Sequence, residues 1–401
     1  MLKVKKILAT AGLIGMIALP AQPVSGKASD QVHTNPQRQL AVELKTVPVD
    51  SPRFVYDSGL KFEYPDAVRG IYVTGHSAGG SRFNELVKLI ETTDLNAMVI
   101  DIKDDWGNVT YKADKDSPYA GIGQSYIENP REMLKTMEEK QIYPIARIVV
   151  FKDSLLAKKS PDLSFQQGGK VWVNNRKEAF VNPFLKEVWD YNVGIAIEAA
   201  KLGFKEIQFD YVRFPEGFEK RDQQLQYGMG EYENMKEDNV QKRVHAVTDF
   251  VAYAREKLKP YGAKVSVDIF GYTATLPEAP GIGQNFSKIS ENVDVISSMI
   301  YPSHWTSYFG IAKPDLEPYK LVHEYAKVEN AKLSKLENPP VSRPWIQDFT
   351  ASYLGSGNYK VYGKAEVEAQ IKALYDSGIK EFLLWNAGNT YTKNVDYTPD
   401  Q

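Results

Sequence analysis

Leu202-Gly203-Phe204-Lys205-Glu206-Ile207-Gln208-Phe209-Asp210-Tyr211-Val212-Arg213 is the stretch on which the fold turns. Its glycine is the kind of residue that ends a helix in a left-handed cap. Its apolar positions then change from helical spacing to alternation, which predicts a strand over 206–212. Ser377-Gly378-Ile379-Lys380-Glu381-Phe382 repeats the arrangement near the other end of the chain. A helix cap feeding directly into a strand is needed repeatedly when parallel strands are joined by helical crossovers.

Working outward, the same alternation fills the chain. Strands are predicted over 68–74, 97–103, 143–151, 206–212, 264–270, 294–301, 344–349 and 381–386. Helical patterns separate them. The first opens near Ser81, with Phe83, Leu86, Val87, Leu89 and Ile90 as its apolar stripe. Asn129-Pro130 and Asn182-Pro183 each read as an N-cap followed by proline at the first helical position, opening helices over 129–140 and 182–203. Further helices are expected over 237–258, near 287, over 318–333 and over 364–377. Eight strands in strict alternation with helices predict a single-domain α/β fold, a (β/α)8 TIM barrel with extended βα loops. An open doubly wound sheet is the competing arrangement.

The 401 residues are 43% apolar and 25% charged, a globular composition that excludes disorder and collagen. With 49 basic and 51 acidic residues the net charge is −2, so nothing points to nucleic acid as a partner. Cysteine is absent, which excludes disulfides, thiolate metal sites and a cysteine nucleophile. No cofactor or metal is called for. Lys3, Lys5 and Lys6 precede an apolar run over 7–19, the pattern of a signal peptide over 1–26. Cleavage is expected after Ala21 or after Val24-Ser25-Gly26, with an uncleaved anchor as the alternative. A polar leader over 27–65, the barrel over 66–390 and a tail over 391–401 complete the division, and the protein is expected to be secreted or associated with the cell envelope.

Ionisable residues inside strands are costly unless paired or functional. Here they gather towards the C-terminal ends, where barrel enzymes keep their catalytic groups. Asp101 and Lys103 share a face by parity, as do Gln208 and Asp210; Arg147, Asp268, Gln347 and Asp348 lie on other strands. Several carboxylates converging at one end suit acid–base work on a glycosidic bond. Trp106, Tyr211, Phe214, Tyr272, Tyr301, Trp305, Trp345 and Trp385 stand at or beyond strand ends, and such rings suit the apolar faces of sugars. One pattern competes: Gly75-His76-Ser77-Ala78-Gly79 satisfies the nucleophile elbow of a serine esterase, with His304 or His323 as base. It stands on the first strand of the domain, without an upstream oxyanion loop, and reads rather as a Gly/Ser-rich loop entering a helix with Ser81 near its N-cap. A barrel that binds a wall polysaccharide without cleaving it is the other alternative.

Several segments resemble a bacterial family described as "putative glycosyl hydrolase", otherwise a domain of unknown function. They are residues 68–75, 95–105, Trp172-Val173-Asn174, 206–216, 299–304 and 343–349. The most specific is Glu206-Ile207-Gln208-Phe209-Asp210-Tyr211-Val212-Arg213-Phe214-Pro215-Glu216. The resemblance spans about residues 66 to 390 and departs at Ser298, where a proline is expected. It implies a TIM-barrel glycoside hydrolase and a polysaccharide or oligosaccharide substrate. By strand position, Asp210, Asp268 and Asp348 correspond to the nucleophile, the acid and the charge-stabilising carboxylate of the α-amylase-like barrels, with Asp268 in place of the usual Glu. Glu216 is the alternative acid, as a loop carboxyl that partial desolvation would keep protonated. Arg213 is expected to hold a carboxylate ionised. Asp101, Lys103, Arg147, Gln208, Tyr301, His304, Trp345, Gln347 and Trp385 are the expected substrate-binding groups.

Overall fold

The structure is a computed structural model, and it describes residues 55–399. The expected signal peptide and most of the expected leader lie outside the described residues. Eight parallel strands form the barrel: β1 (Arg69–Val73), β2 (Ala97–Lys103), β3 (Tyr143–Val149), β4 (Glu206–Asp210), β5 (Lys264–Phe270), β6 (Val295–Met299), β7 (Trp345–Gln347) and β8 (Phe382–Trp385). Each pairs with its sequence neighbours, and Gly70 of β1 lies opposite both Ala97 of β2 and Leu383 of β8. That double pairing closes the ring and removes the free edges that a doubly wound sheet would have.

Among the described residues, one main helix follows each strand but the last: α1 (Arg82–Glu91), α2 (Pro130–Glu139), α3 (Lys186–Leu202), α4 (Asn239–Leu258), α5 (Phe286–Ser290), α6 (Pro318–Leu333) and α7 (Lys364–Asp376), with shorter helices at Gly75–Gly79 and Ser154–Lys159. Helix α1 buries Phe83, Leu86, Val87 and Ile90 against the barrel. Asn129 caps α2 by accepting from the Glu132 amide at 3.1 Å, ahead of Pro130. Gly203 and Gly378 follow α3 and α7 with φ of 123° and 79°, conformations that favour glycine. Asn182-Pro183 does not open α3. The Asn182 side chain accepts from the Phe184 amide and donates to the Gly228 carbonyl, so it ties two loops together and the helix begins at Lys186.

Side chains alternate between the axis and the surrounding helices, as a pleated strand requires. Val68, Tyr72, Val99, Ile145, Trp345 and Leu383 belong to the apolar cluster inside the barrel, separate from the larger core under the helices. At the N-terminal end the interior is ionic. Arg343 lies 2.8 Å from both Glu206 and Glu381, and its Nη2 donates to the Tyr64 hydroxyl at 2.9 Å. Tyr64 belongs to the expected leader, and Leu60 is buried beside it in sequence. Beyond the expected barrel limit, Tyr391, Val395 and Tyr397 are buried in the core. Described residues on both sides of 66–390, among them Leu60, Tyr64, Tyr391 and Tyr397, therefore pack onto the barrel.

Candidate active site

Asp210 is the last residue of β4, and the strand stops there because Tyr211 takes φ +52°, a left-handed conformation that non-glycine residues adopt rarely. The turn aims the Tyr211 amide at Asp210 Oδ1, at 2.6 Å. Asp210 Oδ2 accepts from Arg147 Nη2 at 2.6 Å and from its Nε at 3.0 Å. Arg147 Nη1 lies 2.7 Å from Asp101 Oδ1, and the Tyr72 hydroxyl donates to Asp101 Oδ2 at 2.6 Å. One buried guanidinium thus joins carboxylates from β2 and β4. Burial pushes the Asp101 carboxyl up to about 6, despite the opposing charge of Arg147.

Asp268 lies on the neighbouring strand. The β4–β5 register pairs Gln208 with Ser266 and Phe209 with Val267, so its next step sets Asp210 beside Asp268. Neighbouring strands run about 4.8 Å apart. Asp268 accepts from Trp345 Nε1 at 2.8 Å. Burial first, and the nearby Asp210 charge second, push its carboxyl well above the usual range. Tyr301 is buried and feels both carboxylates. Trp385 stacks on Tyr72 at 4.1 Å, and Arg147 lies over both rings. Gln208 Nε2 donates to Ser297 Oγ at 3.2 Å across the interior, while its Oε1 has no partner among the described residues.

Other expected site residues go elsewhere. Lys103 leaves the axis because the β2–β3 register shifts between Asp101 and Lys103, a bulge that turns it to the outer face. There it is fully buried, 2.7 Å from Asp153 and 3.0 Å from Asn192 of α3. Asp348 receives the Thr392 hydroxyl at 2.5 Å and the Thr392 amide at 3.0 Å, so it clamps the C-terminal segment. Gln347 is buried and occupied, accepting from the Ser303 amide and donating to Asp315 and the Phe349 carbonyl. Phe214 is fully buried among Phe165, Phe184 and Phe218 rather than walling a sugar. Arg213 does not serve Asp210. It lies over the rings of Tyr211 and Phe270 and pairs with Glu216 at 3.3 Å. The Glu216 side chain is 67% exposed, so burial does not supply the desolvation expected of it. His304 is exposed, edge-on to Tyr301 at 5.0 Å.

Tyr72 and Asn389 are site groups that the residue reading overlooked. Tyr72 shares the inward parity of Gly70 on β1, so alternation alone could have found it. Asn389 carries no such signal. It donates to the Tyr72 carbonyl at 2.9 Å and accepts from the Thr74 amide at 3.0 Å, tying the β8 loop to β1 from 315 residues away.

The serine elbow has a structural explanation. Residues Gly75–Gly79 form one short helical turn, capped by Thr74 Oγ1 accepting from the Ser77 amide. A Cβ at Gly79 would sit 1.6 Å from the Tyr126 carbonyl oxygen, and one at Gly75 would sit 2.6 Å from Thr110. Both glycines therefore permit close packing. His323 is on α6, bonded to Ser377 Oγ at 3.1 Å and stacked on Tyr319. Ser77→Ala is expected to leave glycan hydrolysis within about twofold of wild type, the range of substitutions that touch no special contact. Stoichiometric labelling of Ser77 by a phosphonate would restore the esterase reading.

Carboxylates at the C-terminal ends of neighbouring strands, one bound to a guanidinium and one whose pKa burial raises, are an arrangement compatible with a glycoside hydrolase on a (β/α)8 barrel. The profile of the family described as "Putative glycosyl hydrolase domain" matches residues 70–391, and the chain belongs to that family. No curated protein matches it. Among solved structures, a hypothetical protein from Ruminiclostridium thermocellum is 34% identical, covering 49% of this chain and 96% of its own, with a TM-score of 0.42. The PgaB (BpsB) glycoside hydrolase domain from Bordetella bronchiseptica shares the fold at 14% identity, covering 80% of this chain and 94% of its own, with a TM-score of 0.56. No helix among the described residues is long and apolar enough to cross a membrane.

Proposed function

We propose that this protein is exported and cleaves O-glycosidic bonds in an extracellular or cell-wall polysaccharide, with Asp210 as the ionised carboxylate and Asp268 as the proton donor. The observation that carries the reading is the unequal pair at the ends of β4 and β5. Asp210 holds the Arg147 guanidinium, whereas among the described residues Asp268 accepts from the Trp345 indole N–H and has a raised carboxyl. In this reading Asp210, paired with Arg147, attacks the anomeric carbon or activates water, and Asp268 protonates the leaving oxygen. Arg147 and Tyr72 keep Asp101 in place, and Trp385 and Tyr301 offer ring faces beside the pair.

Asp268→Asn tests the donor. It should lower kcat by on the order of 10²- to 10⁴-fold on an unactivated glycan. An aryl glycoside, whose leaving group needs little protonation, should lose much less. Because Asp268 works in its protonated form, wild-type activity should fall as pH rises through its elevated pKa. Equal losses on both substrates would remove Asp268 from the role.

A second reading, a carbohydrate-binding barrel without turnover, is favoured by the near-complete burial of the pair: Asp210 is 6% exposed and Asp268 2%. Product release from a panel of wall and capsular glycans separates the two, since a binder retains glycan and releases nothing. Export has its own check. Material from the culture supernatant or cell envelope should begin near residue 22 or 27 by N-terminal sequencing. An intact Met1 in a cytosolic fraction would refute it.

A further inference from the structure

A cleft of about 200 Å³ opens beside the end of β4, and Tyr211 and Arg213 form part of its wall. Three guanidiniums line it: Arg176, Arg213 and Arg221. Arg213 is 5% exposed, and ring faces on either side hold it in place. Arg221 lies over the Trp172 ring at 5.5 Å. Two carboxylates also face the cleft, and Glu178 shares Lys152 with Asp105, which lies closer to it at 2.6 Å. Glu178 accepts from Lys152 at 3.4 Å and from Asn174 at 2.7 Å, and Glu216 pairs with Arg213 through one contact. Arg176 and Arg221 have no carboxylate partner among the described residues. Three guanidiniums against two carboxylates leave the cleft lining with a net positive charge in a small volume, next to aromatic walls.

A neutral sugar could use these donors for its hydroxyls but would leave their charge unbalanced, whereas an anionic group would balance it. Guanidinium is a planar fork that matches a carboxylate in bidentate fashion, and stacking on an aromatic ring fixes its plane. We infer that this cleft is a subsite for a carboxylate-bearing sugar, so that the substrate is an acidic glycan. The inference rests on the glycan-cleaving reading and names its substrate class. The carboxylate could belong to a uronic acid or to a lactyl ether on an amino sugar; the chemistry of recognition is shared.

The test is calorimetric binding to the full chain carrying Asp210→Asn, which prevents turnover. The probes are a glucuronate oligosaccharide and an N-acetylmuramate-containing oligosaccharide, each compared with its carboxyl-reduced counterpart. At least one acidic probe should bind about tenfold or more tightly than its reduced form, the effect of one charged hydrogen-bonded pair. Adding Arg176→Gln and Arg221→Gln should bring that ratio close to one, with thermal melting confirming that the variant is folded. The arm that shows the preference identifies the source of the carboxylate. The inference is overturned if neither acidic probe is preferred, if neither binds, or if the preference survives the double substitution. Failure of wild type to release product from any glycan would instead count against the hydrolase reading, since the binding ratio is independent of turnover.

Discussion

Asp210→Asn is expected to lower kcat on a cleavable glycan by on the order of 10³-fold or more, with KM little changed. The amide preserves the shape of the side chain and can still accept from Arg147. It can neither attack an anomeric carbon nor activate water. Arg147 remains paired with Asp101 at 2.7 Å, so the interior keeps a counter-charge and the barrel should fold. Oligosaccharide affinity should persist, because Tyr72, Trp385 and the arginine-lined cleft are untouched. Steady-state kinetics on a defined oligosaccharide provide the measurement. A variant that cleaves as fast as wild type would make Asp210 a structural partner of Arg147 and nothing more.

The second large effect concerns Arg147 itself. Arg147→Met leaves Asp101 and Asp210 buried without their cation, a loss that typically costs about 3–5 kcal/mol of stability. The pH dependence has a definite sign. Asp101 already has a folded-state carboxyl raised from 3.8 to about 6 by burial, with Arg147 opposing the rise. Without Arg147 that carboxyl rises further, so the folded state keeps a proton that the unfolded chain has lost. Stability then falls as pH increases above about 4, and the penalty in Arg147→Met should be smaller near pH 4 than near pH 8. Urea melts at both pH values measure it. Arg147→Lys should recover part of the loss, because it restores the charge without the fork that bridges two carboxylates. A penalty that does not change with pH would mean that the loss comes from packing and not from the uncompensated charges.

Both substitutions act on one ion cluster, in which Arg147 holds Asp210 and Asp101. Asp210 and Asp268 lie at the C-terminal end of the barrel, where the chemistry is proposed. The other buried ion cluster, Arg343 with Glu206 and Glu381, closes the N-terminal end and involves Tyr64 from upstream of the barrel. Charged residues inside strands therefore have more than one meaning in this chain, and distance along the strand does not sort all of them, since Lys103 ends β2 yet pairs with Asp153 on the outer face. Glu206 opens β4 and Asp210 ends it, four residues later on the same face.

The sequence by itself determined the alternation of elements, the number of strands and the inward parity of Gln208, Asp210, Arg147 and Asp268, because these follow from local periodicities of 3.6 and 2.0 residues. It also determined where α2 and α6 begin, since a capping side chain or a proline acts within one turn. Only the tertiary structure decided which carboxylate received a cation. Arg147 reaches Asp210 across 63 residues and Asp101 across 46, and no local pattern encodes that choice. It also decided sidedness after irregularities. The bulge past Asp101 sends Lys103 to α3, and the left-handed Tyr211 turns Arg213 away from Asp210 towards Glu216. A one-residue irregularity reverses every parity beyond it, so a pattern of period two carries no information past that point.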